Sequence, residues 1–192
     1  MGKIVLATII ISGSAKWLLK VVGNKEKWYG SDRIFMYVMT VFGAMTVNYS
    51  EQCTEYGWVV SNLRLLAGCL LAGGLLSAAY MDRRNCWVYN YVWWWCLPWA
   101  GILGMTAGGE FSGIVAVLVF VMLQQLLFSR MYGKADCHAF SVCALAECGN
   151  AVGMVGFLLQ MFLSVVLLTI VQLFRGNVTP RGRLREPQPF NR

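Results

Sequence analysis

The sequence predicts an all-α fold: a polytopic transmembrane helical bundle of about six to seven membrane segments. Two observations lead there. Of the 192 residues, 58% are hydrophobic and only 13% charged, and the mean hydropathy is +0.57. The charged share is about half that of a soluble domain. The second observation is the charge pattern of the connections between apolar runs. Basic connections alternate with connections that carry acids and no lysine or arginine.

Seven apolar runs are expected to embed: 4–22, 34–50, 57–80, 86–107, 111–129, 137–149 and 151–174. A span needs roughly 20 mostly apolar residues. The first run resembles a signal peptide only faintly. It starts a protein made of further apolar runs, so it reads as a retained span or interfacial helix. Gly2 makes no convincing myristoylation site, because position 6 is Leu rather than Ser or Thr. The sixth run is short and calls for a locally thinned or protein-lined position.

Three segments are assigned: 1–56 as N-terminal membrane segments, 57–174 as a helical core, and 175–192 as a basic cytosolic tail. The tail, RGNVTPRGRLREPQPFNR, has no apolar period and reads as a cytosolic segment.

Lys25, Lys27 and Arg33 mark the first basic connection, Arg83 and Arg84 the second, Arg130 and Lys134 the third, and the arginine-rich tail the last. Glu51 and Glu55, then Glu110, then Glu147 occupy the alternate connections. The positive-inside rule puts the basic connections and the C-terminal tail in the cytoplasm, with the chain in the plasma membrane. The net charge of +7 is thereby explained by topology, and no nucleic-acid partner is expected. Arg64, inside a run, is expected to snorkel to the outer face, pairing with a carboxylate being the alternative.

The seven cysteines form no CxxC pair and read as small buried hydrophobes rather than a disulfide framework. Trp93, Trp94, Trp95 and Trp99, with Tyr89 and Tyr91, read as an aromatic belt and lipid-facing packing. Gly73-Gly74 and the Gly101/Gly104 pair permit close helix contact. Cys137, His138, Cys143 and Glu147 crowd one short run with Asp136. Asp136, Cys143 and Glu147 share a face at helical spacing, but His138 points away from Cys143 and no paired ligand motif exists, so no metal and no cofactor is expected.

Two aspartates stand out. Asp82 follows the apolar run LLAGGLLSAAYMD, and Asp136 precedes another in MYGKADCHAFSVCALA. Both fall on the cytoplasmic side, where ionisable groups at the membrane boundary tend to be functional. The bland alternative neutralises Asp82 with Arg83 and Arg84 and makes Asp136 a helix cap.

The local strings resemble those of the type IV prepilin peptidases, the A24-type intramembrane aspartic peptidases, over roughly residues 57–190. In that family the first aspartate ends a helix and is followed by basic residues and an asparagine; here Arg83, Arg84 and Asn90 follow Asp82. The second aspartate lies in a Gly-x-hydrophobic-Asp motif, matched by Gly133, Lys134, Ala135 and Asp136. Departures are Val88-Tyr89 in place of Ile-Pro and His138 in place of a lysine. The family usually has a further helix after a Pro-Phe pair; here REPQPF leads to Arg192, so that helix is absent, or the first two segments compensate for it, or the chain is truncated. The cysteine-containing cytosolic segment of the bifunctional members is also missing.

The resemblance implies an aspartic endopeptidase, without methyl transfer, that cleaves prepilin or pseudopilin leaders at the cytoplasmic face. Asp82 and Asp136 would be catalytic, and Gly133, Lys134, Ala135 and Asn90 would contact substrate. Two nearby carboxylates cannot both ionise cheaply, so a dyad shares one proton. A helix N-terminus favours the charged form and a C-terminus disfavours it, which makes Asp136 the base and Asp82 the acid. The rival expectations are a non-catalytic membrane assembly protein and a small ion- or proton-coupled transporter. The expected partners are the substrate and membrane lipid; the sequence does not specify an oligomeric state.

Overall fold

A computed structural model of the chain describes residues 2–21, 30–52, 57–108, 111–126, 133–147 and 151–174. These residues form seven α-helices and no strand: α1 (Gly2–Val21), α2 (Gly30–Gln52), α3 (Trp58–Asn85), α4 (Asn90–Thr106), α5 (Phe111–Leu126), α6 (Lys134–Ala146) and α7 (Ala151–Phe174). The all-α expectation is borne out, and one helix falls on each of the seven apolar runs. Lys25, Lys27, Cys53, Glu55, Glu110, Arg130, Cys148 and the tail 175–192 lie outside the described residues.

The chain divides into two compact units, Met1–Val155 and Gly156–Arg192. In the first, α3 packs against α1, α2 and α4, α1 packs on α2, and α6 packs against α4 and α5. In the second, α7 continues as an apolar helix to Phe174. Among the described residues, two helices, Gly2–Val21 and Trp58–Arg84, are long and apolar enough to cross a membrane.

Side-chain contacts fix the directions of α2 to α6. Asp32 at the start of α2 meets Arg84 at the end of α3. Val47, late in α2, packs over Gly68, early in α3. Arg64, early in α3, bonds to Leu103 and Thr106 at the end of α4. Trp93, early in α4, meets His138, early in α6, and Gln125 at the end of α5 bonds to the same histidine. Successive helices therefore alternate in direction. One end of the unit gathers Arg33, Arg83, Arg84 and Lys134; Arg64 and Glu147 lie toward the other.

Small residues let the helices close. A Cβ on Gly73 would lie 3.0 Å from the Ile11 carbonyl oxygen and 3.1 Å from the Ser14 Cβ. Neighbouring Gly74 faces Cys96 and Trp95 of α4 in the same way. The core around this seam includes Ala7, Ile11, Cys69, Leu76, Tyr80, Met81, Val92 and Cys96. Pro98 lies inside α4 and has no N–H to offer the Trp94 carbonyl.

Helix ends differ from expectation, most of all at α2, α3, α4 and the start of α6, which begins at Lys134 rather than 137. α3 runs on to Asn85, so Asp82, Arg83 and Arg84 belong to its last turns rather than to a connection. Arginines suit a helix C-terminus, where their charge meets the negative end of the dipole. α3 then stops at Cys86, which caps it in the left-handed conformation with φ 50°. α4 accordingly begins at Asn90, not 86. α2 begins at Gly30, not 34, which brings Asp32 and Arg33 into its first turn.

Candidate functional site

Asp82 and Asp136 occupy the same end of the first unit. Asp82 is exposed, directly after the fully buried Tyr80 and Met81. These two anchors hold the last turns of α3 against the core, and Asp82 turns outward from them. Its backbone carbonyl accepts the Cys86 N–H at 2.9 Å, closing the helix. A buried Val88 then pins the short connection to α4.

Asp136 is the third residue of α6, not the residue before a helix, and Gly133 is the N-cap. The carboxylate leans back along the first turn: a Cβ on Gly133 would lie 3.6 Å from Asp136 Oδ2. An acidic side chain at this position commonly reaches back toward the N-cap. Gly133, Lys134 and Asp136 are exposed, whereas Ala135 packs against the core. Asn90, exposed, opens α4 on the same end.

The six residues therefore share one end but not one point. α4 packs against both α3 and α6 and stands between them, since no comparable α3–α6 packing is present among the described residues.

Three interactions that sequence reasoning missed set the local frame. Arg84 Nε lies 3.4 Å from Asp32 Oδ2, with both side chains largely buried. The Arg83 guanidinium lies 4.8 Å from the Phe35 ring centroid. Together they tie the Asp82-bearing turns of α3 to α2. The third is at His138, whose ring meets Trp93 edge-on at 5.9 Å and whose Nδ1 lies 3.3 Å from Gln125 Nε2. This histidine joins α4, α5 and α6 next to Asp136. The one available signal was Asp32, an acid within a connection otherwise assigned by its cations.

The aromatic group divides. Trp93 is buried, while Trp94 is exposed. Trp95 meets Trp99 at 5.7 Å and Trp17 of α1 at 5.0 Å. Trp93 and Trp95 therefore pack between helices, while Tyr89, Tyr91 and Trp94 face outward as a belt would.

Arg64 corrects an expectation. It does not snorkel: it is 8% exposed and donates to the Leu103 carbonyl at 3.1 Å and to Thr106 Oγ1 at 2.9 Å. Leu103 has one of the last four carbonyls of α4, which lack helical partners, so the guanidinium completes the helix end. Beyond the end of α6, desolvation pushes the Glu147 carboxyl above its ordinary range, and the Arg64 charge opposes that rise. Glu147 remains exposed as a residue, which tempers both effects. The acidic neighbour considered for Arg64 is thus present, at the end remote from the aspartates.

No three His, Cys, Asp or Glu side chains among the described residues converge as a metal site. Compared with known proteins, the chain matches no family model, no curated protein and no solved structure.

Proposed function

We propose that this chain is a plasma-membrane aspartic endopeptidase of the prepilin-peptidase kind, with Asp82 and Asp136 as its catalytic carboxylates. The observation that carries the reading is their shared location: two exposed aspartates, 54 positions apart in sequence, at one basic end of an alternating helical unit. A water held between them would be deprotonated by one carboxylate while the other protonates the carbonyl of the scissile amide. Gly133, with no Cβ, leaves room for a substrate backbone beside Asp136. Lys134, Ala135 and Asn90 border the same space.

The bilayer setting is part of the proposal. α5 buries a narrow stripe of Gly113, Val117, Phe120 and Gln124. Its remaining faces expose Leu118, Val119, Met122 and Leu126 by 52 to 65%. A helix apolar on every side suits lipid better than water. The cations at the aspartate end then mark the cytoplasmic side, where a basic prepilin leader would lie.

The intervening α4 favours a second reading, a non-catalytic membrane assembly protein, because a dyad requires the α3 and α6 ends to approach across it. Co-expression with a prepilin separates the two. The peptidase reading expects leader cleavage that Asp82→Asn and Asp136→Asn each abolish while membrane levels stay equal. Cleavage that survives both substitutions, or none by the unaltered chain on a panel of prepilins, overturns it.

A further inference from the structure

A cleft between α1 and α2 lies away from both aspartates' helices. Its volume is about 240 Å³, and its lining includes Thr8, Ser12, Lys16, Arg33, Tyr37 and Thr40. From this cleft we infer a binding site for one anionic phospholipid, with its phosphate on Lys16 and Arg33.

The charge is one-sided. Lys16 and Arg33 are exposed cations, and among the described residues no carboxylate lines the cleft. Asp32, next in sequence to Arg33, is turned instead to Arg84 at 3.4 Å. Among the described residues the cleft thus carries two positive charges without an acidic counterpart in its lining. Basic pockets between helices at the cytoplasmic face are a recognised way of holding anionic head groups.

The polarity changes along the cleft as it does along a lipid. Lys16 and Arg33 stand at the basic end. The Thr8 and Thr40 hydroxyls come next, each already donating to its own helix backbone, to Ile4 and Met36. Helical spacing carries the same stripes on to Val5 on α1 and Val41 on α2, both exposed. From position 16 to position 5 a helix rises about 17 Å, close to half of the roughly 30 Å hydrocarbon core. Cation, hydroxyl and aliphatic surface therefore succeed one another over the depth of one leaflet. The volume falls below the about 300–1,000 Å³ of sites that enclose a whole small molecule. It suits a head group held in the cleft with its acyl chains lying along the outer surface.

This inference rests on the bilayer reading, and its test keeps the two apart. The full chain is first extracted from membranes with alkaline carbonate. Release into the soluble fraction would defeat both. Detergent-purified full chain is then titrated, by native mass spectrometry, with phosphatidylglycerol, with phosphatidylcholine of the same acyl chains, and with inorganic phosphate. The expected result is one retained phosphatidylglycerol, weaker phosphatidylcholine, and no displacement by millimolar phosphate. The double variant Lys16→Gln/Arg33→Gln should weaken phosphatidylglycerol on the order of tenfold. Arg83→Gln, which removes a cation that sits over Phe35 outside the cleft, should leave it unchanged. Equal retention of both lipids, displacement by phosphate, or an unaffected double variant in a membrane-integrated chain would each overturn the site and leave the bilayer reading standing.

Discussion

Gly73→Ala tests the tightest seam of the fold. The new methyl would meet the Ile11 carbonyl oxygen at 3.0 Å and the Ser14 Cβ at 3.1 Å. Comfortable carbon contacts lie near 3.5–4.0 Å. A rotamer change at Ser14 moves its hydroxyl but not its Cβ, and the carbonyl belongs to the backbone of α1. The helices must therefore part by a few tenths of an ångström. Overpacking of this kind costs about 1–3 kcal/mol, and a backbone obstacle argues for the upper part of that range. Replacing glycine in a helix returns up to about 1 kcal/mol. A net loss of about 1–2 kcal/mol remains, and at about 2–4 °C per kcal/mol for a chain of this size the melting temperature should fall by several degrees. Gly101→Ala is the matched control, since its Cβ meets nothing within 4 Å and only the helix gain applies. Thermal unfolding of both variants in one detergent, followed by far-ultraviolet circular dichroism, gives the comparison. Gly73→Ala no less stable than Gly101→Ala would refute the packing argument.

Other outcomes follow from the same geometry. Cys86→Gly should raise stability by about 1 kcal/mol, because a left-handed residue loses its Cβ penalty; the melting temperature is the readout, and a decrease would count against the cap. Arg64→Met should lower stability by about 1–3 kcal/mol through loss of charged donors at the α4 terminus. Arg64→Lys should recover only part of this, since an ammonium lacks the planar fork. Asp32→Asn should destabilise by about 2 kcal/mol, less than the roughly 3–5 of a fully buried pair, and pairing it with Arg84→Met should restore most of the loss in a double-mutant cycle. In native protein a maleimide should label the exposed Cys86 well before the buried Cys69, Cys96 or Cys137.

The helices were legible in the sequence because each is a mostly apolar run that a few charges such as Lys16 and Arg64 do not break, and hydrophobicity is a local property. Their ends were less so. Asp82, Arg83 and Arg84 look like a connection by polarity, yet all three are acceptable helix residues, and two of them suit a C-terminus. The actual stop depends on a left-handed Cys86, where glycine is the usual signal. Arg64 was misread for a different reason. Its partners are 39 and 42 positions away in sequence, and one is a backbone carbonyl that no residue pattern advertises. At the candidate site, the loop charges put Asp82 and Asp136 on one side of the chain's expected membrane, and the helix directions put them at one end of the unit. The layer of α4 between them depends on packing order, which the loop charges leave open.

The brevity of α6 has a bearing on how solvent could reach a buried bond. Thirteen residues rise about 20 Å, some 10 Å short of a typical hydrocarbon slab. If this unit sits in a bilayer as proposed, the lipid must dimple around α6, or the helix start must lie in a wetted recess beneath the phosphate plane. Either way the aqueous boundary bends inward beside Asp136. A hydrolase in oil has to solve its supply of water before its chemistry, and a truncated helix is a simple means of drawing that reactant down to the carboxylates.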